Sequence, residues 1–186
     1  MAFLDKEHKK EIEFLKEKWN SLKDLEELAQ KKRIPDIFQD NGAKVLQQVI
    51  LSGMDFLPGR EGNDAVDVNG VEWEFKSINI ATSATGFSTD HHSTLELLDR
   101  FNSVPWLFSV YEGIHLQEMY VLSPGQLNEW VTKQKNNLEK KIQEGKANSL
   151  NNPKIPLKYV KANGTQVYPF AKDPIDPASL DGKNNK

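Results

Sequence analysis

Three ionisable residues near the middle of the chain have the types and the spacing of a metal-dependent phosphodiesterase. They are Asp64 and, ten residues later, Glu74 with Lys76 in a Glu-x-Lys pattern. Hydrolysis of a phosphodiester drives a hydroxide against an anion and leaves extra charge on the phosphoryl oxygens. A divalent cation held by two carboxylates assists both steps, and a lysine favours the deprotonated water or offsets the developing charge. The spacing therefore predicts Asp64 and Glu74 as metal ligands and Lys76 as their catalytic partner.

The segment that must position these residues has the pattern of a β-hairpin. A strand is predicted over Val71–Ile80, in which apolar and charged residues alternate from Val71 to Lys76. Asn69-Gly70 before it is typical of a two-residue turn in which both residues have positive φ. Alternation places Glu74 and Lys76 on the same face of the strand. A hairpin also brings Asp64 back beside Glu74, so the three side chains are expected to meet.

The motif alone leaves two interpretations open. A short Asp…Glu-x-Lys pattern with a loose gap recurs by chance, and the three residues could be solvated side chains of an ordinary half-exposed hairpin. The flanking residues 59–63 are unusually polar and glycine-rich for an approach to a strand with large aromatics, and loops of this kind often carry function. Within that approach, Glu61 is a further candidate ligand for the metal or for a second metal.

Several sequence blocks, in order, resemble the PvuII family of restriction endonucleases, which belong to the PD-(D/E)xK nucleases. The blocks are DIFQDNG at Asp36–Gly42, LPGREGNDAVD at Leu57–Asp67, SINI at Ser77–Ile80, GFST at Gly86–Thr89, VPW at Val104–Trp106 and NNPKIP at Asn151–Pro156. The resemblance runs from about Leu25 to Tyr168. Several blocks in register are far more specific than the catalytic motif by itself.

This resemblance implies a fold and a domain organisation. The fold is α/β, or α+β in looser usage, with a mixed central β-sheet flanked by helices and an N-terminal helical dimerisation element. The dimerisation region is expected at residues 1–53, and the catalytic and DNA-recognition core at residues 54–168. Residues 169–186 lie beyond the resemblance, and we expect them to form a flexible tail.

The resemblance also implies a function. It is that of a type II restriction endonuclease, a bacterial cytoplasmic enzyme that hydrolyses double-stranded DNA with Mg²⁺ within a short palindrome. The implied site is CAGCTG, cut blunt at its centre to leave 5′-phosphate ends. A homodimer is expected because a two-fold axis in the protein matches a palindrome in the DNA and places one metal site at each strand.

Candidate DNA-binding residues come mainly from the resemblance, because the residues alone favour plainer interpretations. Asn151-Asn152 before a proline is an ordinary turn, and a histidine pair without a third ligand is usually a surface feature. An asparagine amide can nevertheless pair with adenine in the major groove, and lysines suit phosphates. The implied DNA-binding residues are Asp40, Ser88, Thr89, His91, His92, Asn151, Asn152 and Lys154.

Two positions depart from the family. Asp90 stands where the family has a third histidine, and Phe101 stands where it has a tyrosine near the metal site. A carboxylate and a phenyl ring cannot make the contacts of the residues they replace. The contacts of those two side chains are therefore not carried over, which leaves the outer base pair of the site undetermined.

Composition places the chain among soluble globular proteins and narrows the function classes. At 186 residues it is long enough for one domain with a sizeable core and a helical appendage. No apolar run is long enough to span a bilayer, Met1–Phe14 lacks the apolar region of a signal peptide, and the absence of cysteine excludes disulfides. A net charge of −3 does not exclude DNA binding, because affinity depends on the cations that line the contact surface.

Hydrophobic periodicity predicts the surrounding elements. A helix over Leu4–Lys32, with a possible restart at Asn20-Ser21, has an apolar stripe that includes Leu15 and Trp19. The further predicted elements are helices over Asp36–Ser52, Ser93–Asn102 and Ser123–Glu144, and strands over Val104–Tyr111, Ile114–Leu122 and Ile155–Val160.

Two functions from other classes stay open on the sequence. A structure-selective repair or recombination nuclease would share the catalytic core and cut without a defined sequence. A DNA-binding or helical interaction protein would need no metal, and its Asp64, Glu74 and Lys76 would be merely solvated. Metal dependence and discrete cleavage products discriminate among the three.

Overall fold

The structure, a computed structural model, describes residues 6–39, 41–58 and 62–169. The chain divides after Pro58 into two compact units. The first contains α1 (Lys6–Lys31), α2 (Gly42–Ser52) and β1 (Asp55–Phe56). The second contains β2 (Ala65–Val66), β3 (Glu72–Asn79), β4 (Gly86–Ser88), α3 (Leu95–Arg100), β5 (Trp106–Glu112), β6 (His115–Leu122), α4 (Asn128–Gln143), β7 (Lys154–Pro156), α5 (Leu157–Asn163) and β8 (Thr165–Tyr168).

In the first unit, α1 is one continuous helix, and the restart suggested at Asn20-Ser21 does not occur. Lysine, glutamate and leucine residues with high helix propensity flank the pair on both sides, so the helix continues through it. After α1 the chain turns back, and the amide of Ile37 donates to Oε2 of Glu26 at 3.1 Å. Most of the apolar stripe of α1 remains exposed, with Leu15 at 55% and Trp19 at 45%.

The second helix is shorter than predicted, because residues 36–39 are not helical. Asn41 has a φ of 63°, a left-handed conformation that cannot continue a helix, and α2 begins only at Gly42. A Cβ at Gly42 would overlap the carbonyl oxygen of Asp36, so the chain reversal requires glycine here. Gly53 caps the C-terminal end of α2: it has a φ of 71°, and its amide donates to the carbonyl of Val49.

The second unit is built on a mixed sheet whose strand order is β2-β3-β5-β6-β8. β3 and β5 are parallel, and the other neighbouring pairs are antiparallel. Helices flank this sheet, so the predicted α/β fold is confirmed. β4 and β7 form a separate antiparallel ribbon in which Ser88 pairs with Lys154. We call this pair of strands the β4–β7 ribbon.

One hydrophobic core joins the sheet, α4 and the ribbon. Its buried members include Ile78, Phe87, Leu98, Trp106, Phe108, Val110, Leu122, Trp130, Leu138 and Ile155. Phe87 of the ribbon meets Phe108 of β5 edge to face, with ring centroids 4.9 Å apart. Such aromatic pairs stabilise by about 0.5–1.5 kcal/mol beyond the area they bury. The ribbon is therefore packed onto the sheet that carries the predicted catalytic residues.

Two further predicted elements have different bounds in the structure, one because of a proline and the other because of a turn. The strand predicted over Ile155–Val160 ends at Pro156, which has no amide hydrogen for a strand ladder, and α5 follows it. The helix predicted from Ser123 begins only at Asn128, because Ser123 first makes a turn in which its amide donates to Oε1 of Gln126 at 2.5 Å. Within the described parts of the chain, no helix is long and apolar enough to cross a membrane.

Candidate active site

The predicted hairpin is present, but its turn is not the predicted one. β2 and β3 pair antiparallel, and the chain between them reverses in a wider loop closed by the bond from the Asp67 amide to the Val71 carbonyl at 2.9 Å. Gly70 has a positive φ of 79°, whereas Asn69 does not. The Asp67 carboxylate accepts hydrogen bonds from the amides of Asn69 and Val71 and from the Trp73 indole, at 2.8, 3.0 and 3.2 Å. These three bonds stabilise the wider turn.

The hairpin places Asp64 beside β3, the strand that carries Glu74 and Lys76. Its amide donates to the carbonyl of Trp73 at 2.9 Å, and its carboxylate accepts from the amide of Phe75 at 2.7 Å. Burial raises the pKa of Asp64, although the Phe75 amide and the charge of Lys76 oppose the shift. Asp64 is thus held on both sides of Glu74, through its backbone amide at Trp73 and through its carboxylate at Phe75.

Glu74 and Lys76 form an ion pair with 2.5 Å between Oε1 and Nζ. Their side chains expose only 13% and 17% of their surface, so they are not the solvated residues of an ordinary hairpin. Burial raises the pKa of Glu74 to about 7, with Asp64 adding to the shift and Lys76 opposing it. Burial lowers the pKa of Lys76, but the carboxylates of Glu74, Asp90 and Asp64 outweigh it, and the net shift is upward.

This donor set suits a hard divalent cation. Asp64 and Glu74 are oxygen ligands, and burial together with their mutual repulsion makes two negative charges costly without a counter-ion. Among the described residues no group of three histidine, aspartate or glutamate side chains could hold a metal. Mg²⁺ commonly binds through one or two carboxylates and takes its other ligands from water and phosphate. Glu61, the further candidate ligand, lies outside the described residues.

A cavity of about 650 Å³ opens beside this cluster. Its lining includes Glu74, Asp90, His91, Arg100, Phe101 and Trp106. The Lys76 ammonium lies 5.8 Å from the centroid of the Trp106 ring, which forms part of the wall. The cavity therefore combines carboxylates with cationic and aromatic groups, which suits a phosphate and the sugar or base attached to it.

The β4–β7 ribbon brings together five of the predicted DNA-binding residues. They are Ser88, Thr89, His91, Asn151 and Lys154. The Thr89 hydroxyl donates to the carbonyl of Pro153 at 2.5 Å, and Nδ1 of His91 lies 2.9 Å from Oδ1 of Asn151. A two-stranded ribbon is narrow enough to enter the major groove. The ribbon escapes prediction because each strand has only three residues, too few to show alternation.

The predicted DNA-binding residues differ in how available they are. His91, His92, Asn151 and Lys154 are exposed, whereas Thr89 is buried and its hydroxyl is already bonded within the protein. Asn152 has a φ of 51°, and its buried Oδ1 has no hydrogen-bond partner in the described parts of the chain. Asp40 lies outside the described residues.

Two residues at the cavity were not predicted as site residues. Oδ1 of Asp90 lies 3.8 Å from Nζ of Lys76, and Arg100 projects from the last turn of α3 into the cavity lining. The sequence marks Asp90 only as a departure from the family and gives no signal for its contact with Lys76, which depends on the fold. Phe101, at the position of a family tyrosine, is buried and packs edge to face on Trp106 at 5.1 Å.

A mixed α/β sheet with a mostly buried Asp, Glu and Lys cluster at its hairpin is typical of the restriction-endonuclease-like class of nucleases. Comparison with known protein families agrees: the family described as restriction endonuclease PvuII matches residues 10–168, most of the chain. The chain belongs to this family. It is a type II site-specific deoxyribonuclease whose substrate is double-stranded DNA. Enzymes of this family are generally dependent on a divalent metal.

The raised pKa of Glu74 predicts a pH-dependent stability in the absence of metal. The pKa is about 7 in the folded chain, against roughly 4.3 for an unperturbed glutamate. Between these values the folded state holds a proton that the unfolded state has released, so stability falls as pH rises through this window and stays reduced above it. The glutamine of Glu74→Gln cannot ionise. Between pH 5 and 8 we therefore expect the free energy of unfolding to fall by about 1–3 kcal/mol less in this variant than in the parent protein.

Urea unfolding in EDTA at four pH values between 5 and 8 measures this difference. Glu112→Gln is the matched control, because Glu112 is an exposed glutamate at the end of β5. Its pH profile should follow that of the parent protein. A Glu74→Gln profile parallel to the parent would show that the Glu74 pKa is not raised by folding.

Proposed function

We propose that the enzyme cleaves double-stranded DNA within a short palindrome in a Mg²⁺-dependent reaction. The proposed site is CAGCTG, cut blunt at its centre to leave 5′-phosphate ends. The observation that carries the proposal is the mostly buried cluster of Asp64, Glu74 and Lys76, because Glu74 lines a cavity that is also lined by His91, a candidate DNA-binding residue. A proposed metal ligand and a proposed DNA-binding residue therefore line the same cavity.

In this proposal Asp64 and Glu74 hold the metal. When bound there, a divalent cation neutralises charge on the phosphoryl oxygens and lowers the pKa of water. The Phe75 amide keeps the Asp64 carboxylate oriented, at 2.7 Å. Lys76, whose raised pKa keeps it cationic at neutral pH, places a positive charge beside Glu74, where the attacking water must approach. Its limited exposure strengthens that charge, because less water screens it.

Recognition is proposed to come from the β4–β7 ribbon and the turn before β7. Asn151 is exposed, and its Oδ1 contact with His91 at 2.9 Å orients the amide before DNA arrives. An oriented asparagine amide can pair bidentately with N6 and N7 of adenine. Asn152 follows in the same turn, and its Oδ1 is buried without a partner among the described residues, so the turn would have to shift before this oxygen could accept from a base. Lys154 is exposed on β7 and suits a phosphate.

Dimerisation is proposed to use the helical first unit, within residues 1–53. The exposed apolar residues of α1 include Phe14, Leu15, Trp19, Leu25 and Leu28. A groove of about 350 Å³ on α1 is lined by Leu15 and Trp19 together with neighbouring polar residues. Exposed apolar patches of this kind mark interaction surfaces. A second copy is the proposed occupant, because a palindromic substrate calls for a two-fold symmetric enzyme.

The catalytic proposal is tested by digesting a mapped plasmid with Mg²⁺ and with EDTA, followed by run-off sequencing of the ends. We expect discrete fragments with Mg²⁺ alone, blunt at the centre of CAGCTG. Asp64→Asn and Glu74→Gln should each reduce the single-turnover rate by roughly 10²–10³-fold or more, because each removes a metal ligand. The control is Glu112→Gln, which should cut at the parent rate.

Other digestion patterns would contradict particular parts of the proposal. Discrete fragments at another palindrome would retain the enzyme and reject the assigned site. A smear would indicate a nuclease without sequence preference, and cleavage in EDTA would reject the metal. Parental rates in Asp64→Asn or Glu74→Gln would reject these residues as ligands.

The recognition proposal predicts different losses for Asn151→Ala and Lys154→Ala. Without its amide, Asn151→Ala should lose about 1–3 kcal/mol of discrimination at one base pair. Lys154→Ala should weaken binding to all sequences alike and reduce the salt dependence by about one phosphate contact. Fluorescence anisotropy with Ca²⁺, on the site and on single-base variants, measures both. Asn137→Ala, on the exposed face of α4, is the control; equal losses on every sequence in Asn151→Ala would reject base reading.

The dimer proposal predicts that a charge in the apolar groove separates the protomers. Leu15→Glu should convert a dimer into a monomer in sedimentation equilibrium, because an ionised carboxylate cannot be buried there without a partner. Lys31→Gln changes the net charge by the same amount on the opposite side of α1 and should leave the dimer intact. A Leu15→Glu protein that remains dimeric would place the interface elsewhere.

A further inference from the structure

Asp90 lies between two residues that contact the turn before β7, and it also contacts Lys76. Its Oδ1 lies 3.8 Å from Nζ of Lys76, and its side chain is half-exposed in the lining of the cavity. On either side of it along the chain are Thr89 and His91, both of which contact the segment at residues 151–153. Asp90 thus forms an ion pair with Lys76, while its two neighbours contact residues 151–153, which we call the base-reading turn.

The backbone of Asp90 is connected through Ser93 to Leu150, which directly precedes residues 151–153. The hydroxyl of Ser93 donates to the carbonyl of Asp90 at 2.9 Å. Ser93 is fully buried and exchanges two backbone hydrogen bonds with Leu150, at 2.8 and 2.9 Å. A shift of residues 150–153 on DNA would therefore move Asp90 as well.

Lys76 needs a second anionic partner once Glu74 takes up another role. In this structure Lys76 pairs with Glu74 at 2.5 Å. A Glu74 oxygen committed to a cation is no longer fully available to Lys76, and a mostly buried ammonium left without a partner is costly. Asp90 is the other carboxylate that forms an ion pair with Lys76 among the described residues. It can hold Nζ beside the attacking water while Glu74 is engaged elsewhere.

We propose that Asp90 is a positioning residue that holds Lys76 for catalysis and links its placement to the base-reading turn. The proposal rests on the proposed function and adds to it a physical link between the residues that read the bases and the lysine at the cleavage site. On a correct site, residues 151–153 keep Thr89 and His91 in place, and Asp90 then fixes Lys76. On an incorrect site, the same contacts shift and Lys76 loses its partner.

The test separates rate from affinity in Asp90→Asn, Asp90→Glu and the control Asp99→Asn. Asp99 is an α3 aspartate paired with Lys135 at 2.7 Å, so its variant removes an equal charge outside the cluster. For Asp90→Asn we expect a single-turnover rate roughly 10- to 100-fold lower, because misplacing a catalytic group has effects of this size. The Kd measured by anisotropy in Ca²⁺ should stay within about twofold of the parent value, because no DNA contact is removed. Asp90→Glu should recover most of the rate.

Two further readouts distinguish positioning from other roles. The Mg²⁺ concentration for half-maximal rate should not change in Asp90→Asn, and the rate ratio between the correct site and a single-base variant should fall. A higher Mg²⁺ requirement would make Asp90 a metal ligand, and a weaker Kd matching the rate loss would make it a DNA contact; either result overturns the proposal. A parental rate in Asp90→Asn also overturns it.

Two controls separate loss of folding in a variant from loss of activity in the parent protein. Thermal unfolding of each variant checks its fold, and Asp90→Ser replaces Asp90→Asn if the latter unfolds; a parental rate in Asp90→Ser overturns the proposal equally. The parent protein is assayed alongside. If the parent does not cleave, the proposed function has failed, whereas a cleaving parent with equally active Asp90 variants rejects only the positioning role.

Discussion

The buried pairing of Lys76 with Glu74, 2.5 Å apart, is the interaction on which the rest of the site depends. Taking two charges out of water is expensive, and a pair of this kind stabilises a fold little compared with apolar residues of similar size. Removing Glu74 would leave Lys76 with Asp90, at 3.8 Å, as its remaining ion-pair partner among the described residues, and losing the closer partner of a mostly buried charge is costly. Such a pair on a strand is better explained by chemistry than by stability, which agrees with the proposed role of both residues in phosphodiester hydrolysis.

The sheet makes this arrangement possible. β3 lies between β2 and β5, so backbone hydrogen bonds fix it on both sides. In the parallel register with β5, Glu74 is opposite Trp106 and Lys76 is opposite Phe108. These two aromatic residues are fully buried and stack on each other with ring centroids 5.6 Å apart. The charged cluster is thus placed against a rigid apolar layer, which strengthens every electrostatic interaction within it.

The parts of this site that the sequence predicts are those set by neighbours along the chain. Alternation and a nearby turn bring Asp64, Glu74 and Lys76 together, so the hairpin could be predicted even though its turn type was wrong. The turn prediction failed because three hydrogen bonds to the Asp67 carboxylate outweigh the local preference of Asn-Gly. Asp90 and the β4–β7 ribbon could not be predicted, because their contacts join short segments that are far apart in sequence.

A single packed core connects the ribbon proposed for base reading with the strand proposed for cleavage. Phe87 of the ribbon packs on Phe108, and Phe108 lies opposite Lys76 across the β3–β5 pair. Close-packed interiors transmit displacement rather than absorb it. If the ribbon reads bases as proposed, a poorly fitting DNA displaces side chains that also support β3, and a movement of the carboxylates alone does not compensate for that displacement. Specificity in such an enzyme follows from placement of the phosphate as much as from the affinity of individual base contacts.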